Sequence, residues 1–120
     1  MVKYESKIHK VGKHLDMCRE EKMLITFGDI PDESLADYCV IIDVPENNKD
    51  IQVGNQLVIG SEIYLITAVG DVANETFAYL GHVTIRFDGA KEPLLEGTIH
   101  VAGEFPGQIH TGDFIKICVG

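Results

Sequence analysis

No stretch of this chain stays apolar for long. The two longest runs, "YCVIIDV" and "IYLITAVG", fall far short of the roughly 20 residues a membrane helix needs. No segment is therefore expected to insert into a membrane. The start, "MVKYESKIHK", has no apolar h-region, so no secretion signal is read in it. Cysteine is scarce: Cys18, Cys39 and Cys118 are odd in number, widely spaced and form no C-x-x-C pair. That pattern reads as reduced thiols in a cytoplasmic protein, with Cys39 and Cys118 as packing residues inside apolar strands. Positive charge is also short. Ten Lys and Arg stand against 19 Asp and Glu, a formal net charge of −9. Non-specific nucleic-acid binding needs a basic surface and is not expected. The acidity fits a soluble protein and favours a partner with a basic patch. The chain also lacks G-x-S-x-G, a Walker loop, a dinucleotide fingerprint and H-E-x-x-H.

What is present is β-forming sequence broken by turn residues. The chain has 120 residues, 45% of them hydrophobic. That is enough for a single domain over residues 1–120 with a core that needs no disulfide or metal. Strands are predicted in "VKYESKI", "KMLITF" and "YCVIIDV", then in "NQLVIGSEIYLITAVG", which is two strands joined at Gly60-Ser61. "HVTIRF", "GTIHVAG" and "DFIKICV" complete about eight. "PDESLADY", Pro31 to Tyr38, and "DVANETFAYLG" read as short helices. In the second, Asp71 is placed to cap and Gly81 to close. "IQVGNQLVI" and "IHTGDFIKI" share I-x-x-G-[N/D]-x-[L/I]-x-I, one turn solution used twice. Many short strands, one or two short helices and no βαβ rhythm predict an all-β fold, a closed or nearly closed barrel.

In "GHVTIRFDG", strand alternation puts His82, Thr84 and Arg86 on one face and Val83, Ile85 and Phe87 on the other. Neutral imidazole is the natural nucleophile for reversible phosphoryl transfer. Arginine pairs with phosphate oxygens, and a threonine hydroxyl adds a donor. Two readings of this face stand: an ordinary solvated strand surface, or a site that handles phosphate. "GTIHVAG" sets Thr98, His100 and Ala102 on a common face, and if the two strands are neighbours His82 and His100 are able to meet. His9, His14 and Cys18 give H-x4-H-x3-C, but no fourth ligand is near and Gly12 breaks the segment, so the two histidines read as surface histidines and no metal site is expected. His110 falls in an exposed turn. Asp29, Asp32, Glu33 and Asp37 read as a solvated face.

"MLITF", "LADYCVI", "TAVGDVA", "LGHVTIRFDG" and "GTIHVAG", in that order, resemble the glucitol/sorbitol-specific IIA component of the bacterial sugar phosphotransferase system. The resemblance runs from about Lys3 to Val119. It implies a β-barrel phosphocarrier in the cytoplasm. Such a protein takes a phosphoryl group on histidine from HPr and passes it to a IIB cysteine, and thence to a sugar entering through IIC. One position departs from the family pattern, which reads Y-C-x-I-H with that histidine phosphorylated. Here the run is Tyr38-Cys39-Val40-Ile41-Ile42, and Ile42 has no nucleophile. Either a retained histidine accepts the group, with His82 first and His100 second or orienting, or the barrel is a non-phosphorylated paralogue that binds a partner. In the first scheme Thr84 and Arg86 hold the phosphoryl oxygens, and no cofactor or metal is required.

Overall fold

The computed structural model describes residues 2–29, 32–45 and 50–119. Eight strands close into a barrel: β1 (Val2–Val11), β2 (Met23–Phe27), β3 (Val40–Ile42), β4 (Gln56–Ile59), β5 (Glu62–Val69), β6 (Val83–Arg86), β7 (Thr98–Ala102) and β8 (Phe114–Cys118). Their order around the barrel is β1-β3-β2-β6-β7-β5-β4-β8, so β8 lies between β1 and β4. The closed all-β barrel expected from the turn spacing is present, with β4 and β5 paired across Gly60-Ser61.

Two pairs, β2–β3 and β6–β7, run parallel. Parallel neighbours need a crossover rather than a tight turn. The β2–β3 crossover carries α2 (Glu33–Ala36), and the β6–β7 crossover is the irregular segment 87–97. No helical periodicity marks the latter, so it leaves no βαβ rhythm in the sequence.

Among the described residues the helices are few and short, three in number, one beyond the two located in the sequence. The unforeseen one is α1 (Leu15–Glu20), six residues long, with only Cys18 buried and no side-chain cap. So short a segment gives no readable 3.6-residue period. In α3 (Ala73–Leu80), the N-cap is Val72, without a side-chain hydrogen bond, so Asp71 does not cap it. Main-chain bonds serve instead: Val72 N–H donates to Glu96 O (3.0 Å) and Ala73 N–H to Gly70 O (3.2 Å). The C-terminus is as expected, with Gly81 left-handed at φ 65°.

Alternating strand residues fill the interior: Leu24, Ile42, Leu57, Ile66, Ile85, Ile99 and Ile117 are almost fully buried. Phe77 of α3 plugs one end and meets Tyr4 edge-on, ring centroids 5.2 Å apart. At the far end of β6, Phe87 packs between Tyr64 (5.0 Å) and Phe105 (5.3 Å). The repeated motif builds the same turn twice. Gly54 and Gly112 hold φ of 95° and 94°. Asn55 Oδ1 accepts from Gln52 N–H (2.8 Å) as Asp113 Oδ2 accepts from His110 N–H (3.0 Å).

Candidate functional site

The predicted alternation along β6 holds. Val83, Ile85 and Phe87 are buried, and His82, Thr84 and Arg86 are half-buried on the outer face. The left-handed Gly81 ends α3 and delivers His82 directly into β6. A Cβ at Gly81 would lie 2.9 Å from Gly28 N and 3.6 Å from Ile42 Cγ1, so only glycine admits this approach. His82 then emerges on the outer face, separated from β3 by β2, while Ile42 on β3 faces the core.

The His82 ring stacks on Phe27, centroids 4.0 Å apart and 16° from parallel. Its Nδ1 lies 3.1 Å from Thr26 O. A carbonyl only accepts, so in the neutral ring Nδ1 carries the proton and Nε2 keeps a lone pair. Nε2 has no hydrogen-bond partner among the described residues. Ring plane and tautomer are therefore both set, and one nitrogen is left to react. Thr84 stands two residues along the same face. Arg86 stands two further, with its Nε buried and unpartnered among the described residues.

His82 and His100 do not meet. Their strands are neighbours, but in parallel register: Thr84 pairs with Thr98 and Arg86 with His100. His82 thus lies four residues, about 13 Å, from the His100 rung. His100 is 1% exposed. Its Nδ1 donates to Asp88 Oδ1 (2.8 Å), and its Nε2 accepts from Leu94 N–H (3.1 Å). With both nitrogens engaged, no lone pair remains for phosphorus. His100 instead bolts the 87–97 crossover over β7. Burial tends to raise the Asp88 pKa. The His100 hydrogen bond, the Ala90 N–H and the charge of Arg86 outweigh it, and the carboxyl titrates below its ordinary value.

Position 42 is chemically silent here. Ile42 is fully buried and faces the core opposite Ile8 of β1. The cysteines offer no substitute nucleophile. Cys39 is fully buried, and burial, with Cys18 beside it, pushes its thiol up to about 11. Cys18 is also buried and donates to Tyr38 O (3.4 Å), whereas Cys118 is only half-buried, less enclosed than expected of a packing residue.

His9, His14 and Cys18 point to different partners. The His14 ring lies against Tyr38 (4.9 Å), and His9 Nε2 bonds to the Asp43 carboxylate. That last pair, exposed and adjacent to position 42, was not singled out in the sequence. Thirty-four residues separate its members, and only the β1–β3 ladder brings them together. His110 is exposed beside Asp113 (3.6 Å). Of the acidic run, Asp29 and Asp32 are exposed, and Asp37 contacts Lys13 (3.5 Å). Asp32 accepts from the Ser34 hydroxyl (2.7 Å) and N–H (2.9 Å), which lowers its pKa.

Residues 3–116 match the family model described as "PTS system glucitol/sorbitol-specific IIA component". Curated relatives from Shigella flexneri and Escherichia coli (strain K12), each described as "PTS system glucitol/sorbitol-specific EIIA component", are 38% identical over 113 residues. The match covers 94% of this chain and 92% of each relative. Among solved structures, a PTS system IIA component from Enterococcus faecalis V583 superposes with a TM-score of 0.83 at 28% identity, covering 96% of this chain and 99% of that one.

Proposed function

We propose a mechanism for this chain from the premise that it belongs to the glucitol/sorbitol-specific IIA family, and is thus a phosphotransferase component of a sugar phosphotransferase system. It works in the cytoplasm, takes a phosphoryl group from HPr on a histidine, and passes it to a IIB cysteine for a sugar entering through IIC. The absence of a long apolar helix among the described residues fits a carrier that meets its membrane partner rather than spanning with it.

His82 is the acceptor in this reading. The supporting observation is its single unengaged nitrogen, Nε2, on a ring held in place by the Nδ1 bond to Thr26 O and by the Phe27 ring. The Nε2 lone pair attacks phosphorus in line with the scissile P–N bond of the donor phosphohistidine. That bond breaks, and its electron pair returns to the donor imidazole. The proton stays on Nδ1, donated to the Thr26 carbonyl oxygen, which stabilises positive charge growing on the ring. Thr84 and Arg86 face outward along the same strand and supply a hydroxyl and a cation to the phosphoryl oxygens. His100 acts at a distance by holding the crossover that covers β7.

The test is incubation with phosphorylated HPr from the same cell. Wild type carries phosphate on His82, located by fragmentation mass spectrometry at neutral to basic pH, and His82→Ala loses that phosphate. Phosphate on wild type at other residues but none on His82 removes the site assignment. No label on wild type removes the carrier role. The second reading, a barrel that docks on a IIB or regulatory partner without carrying phosphate, is favoured by the buried Ile42. It is the reading left standing if wild type stays unlabelled yet is retained by its system partners.

A further inference from the structure

We infer that His9 is a second phosphoacceptor, oriented by Asp43, on the other side of position 42 from His82. The inference rests on the reading that this chain carries phosphoryl groups, but it does not depend on His82.

The argument starts from strand order. β3 is flanked by β2 and β1, so position 42 has Gly28 and Gly81-His82 on one side and Ile8-His9 on the other. Ile8 is paired with Ile42, and both point into the core. The residues that follow them, His9 and Asp43, therefore both emerge on the outer surface. The ladder shifts register between Ile8 and Lys10. A register shift re-aims the side chains beside it, and here the two are in contact: His9 Nε2 bonds to Asp43 Oδ1. The Asp43 main chain is also anchored, with its N–H donating to Lys7 O (3.1 Å).

A carboxylate accepts only, so Nε2 of neutral His9 carries the proton and Nδ1 holds the lone pair. Nδ1 has no partner among the described residues, and the side chain is 51% exposed. A histidine fixed in one tautomer by a carboxylate, with its other nitrogen open to solvent, is the arrangement of an activated nucleophile. Charge supports the same conclusion. Against a net charge of −9, the exposed Lys7 and Lys10 bracket His9, and neither makes an ion pair among the described residues. Lys7 lies two residues back on the same outward face, placed to meet phosphoryl oxygens.

In the transfer, the Nδ1 lone pair forms a new N–P bond. The P–N bond of a phosphohistidine or phosphoramidate donor breaks, and its electron pair goes to the departing nitrogen. The Nε2 proton stays between the ring and Asp43, whose charge offsets the cationic phosphoimidazole. No oxidant, metal or further reactant enters.

Two donors separate this proposal from the carrier reading: phosphoramidate, which needs no docking surface, and phosphorylated HPr. Phosphate is located by fragmentation mass spectrometry at neutral to basic pH. Wild type is expected to carry phosphate on His9 from both donors. His9→Ala removes it, His82→Ala keeps it, and Asp43→Ala slows His9 labelling about tenfold, while Asp43→Glu restores most of the rate. All three positions lie at or near the surface, and far-UV circular dichroism checks that each of the four variants folds. Phosphate on His9 from phosphoramidate but none anywhere from HPr supports the site and overturns the carrier reading. Phosphate from HPr on His82 alone, with His9 unlabelled by either donor, overturns the site and leaves the carrier reading intact. An Asp43→Ala rate equal to wild type overturns the orienting role.

Discussion

Asp88 and His100 show how a single pair of side chains ties the outer face of the barrel to pH. The Asp88 carboxyl titrates below its ordinary value of 3.8, because the His100 and Ala90 bonds and the charge of Arg86 outweigh burial. A depressed carboxyl contributes stability that is present above 3.8 and is lost as pH falls from there through the folded value. The expected outcome is a melting temperature that drops for wild type as pH falls below about 4. Asp88→Asn should begin lower at pH 7 and drop less over the same interval. Thermal unfolding monitored by circular dichroism decides this, and parallel curves would assign the acid sensitivity elsewhere. The same pair shows why one histidine of the outer face is excluded from chemistry. His100 spends both nitrogens on structure, whereas His82 spends one and His9 spends one.

Among the elements, the turn from α3 into β6 is tightly constrained. Gly81 combines φ 65° with an approach of 2.9 Å between a would-be Cβ and the Gly28 main chain. Gly81→Ala is expected to cost about 1–3 kcal/mol, read as a lowered midpoint in urea. It should also slow labelling of His82, because the residue that positions the ring has moved. An unchanged midpoint would mean that β2 and β6 have slack at this crossing. Much of this was legible beforehand. Gly81 closed a periodic helix, and Val83-Ile85-Phe87 alternated cleanly, so both the helix end and the orientation of the β6 face were readable. What was not legible has a common cause. The contact of Arg86 with the His100 rung and the contact of His9 with Asp43 depend on which strands are neighbours and in which direction they run. Local sequence encodes the face of a strand through its two-residue period, but not the partner across the ladder. The hairpin at Gly60-Ser61 was readable because the turn itself names the partner. The 87–97 crossover names none.

At the scale of the whole molecule, the barrel has no free edge only because β8 fills the gap between β1 and β4. Both of its ladders are antiparallel, and Ile115 and Ile117 are almost fully buried. Deleting residues 114–119 would bare two strand edges and open the core along its length. Open edges with apolar neighbours template association. The deletion variant is expected to elute as soluble aggregate or to precipitate, where the intact chain elutes as a discrete species in size-exclusion chromatography. A discrete, folded deletion variant would mean that β1 and β4 can close on each other.

The seat of β8 also sets a timetable. A ribosome delivers residues 114–118 after every other strand, yet β1, among the first to emerge, waits for them as a ladder partner. Cotranslational folding can assemble the β2–β3 and β6–β7 crossovers in turn, but the ring itself shuts only when the last strand has left the exit tunnel. Once β7 has joined β6 to β5, the seven earlier strands make an open sheet with two unpaired margins, β1 and β4. The interval between synthesis of β7 and release of β8 is therefore when a chaperone has most to protect.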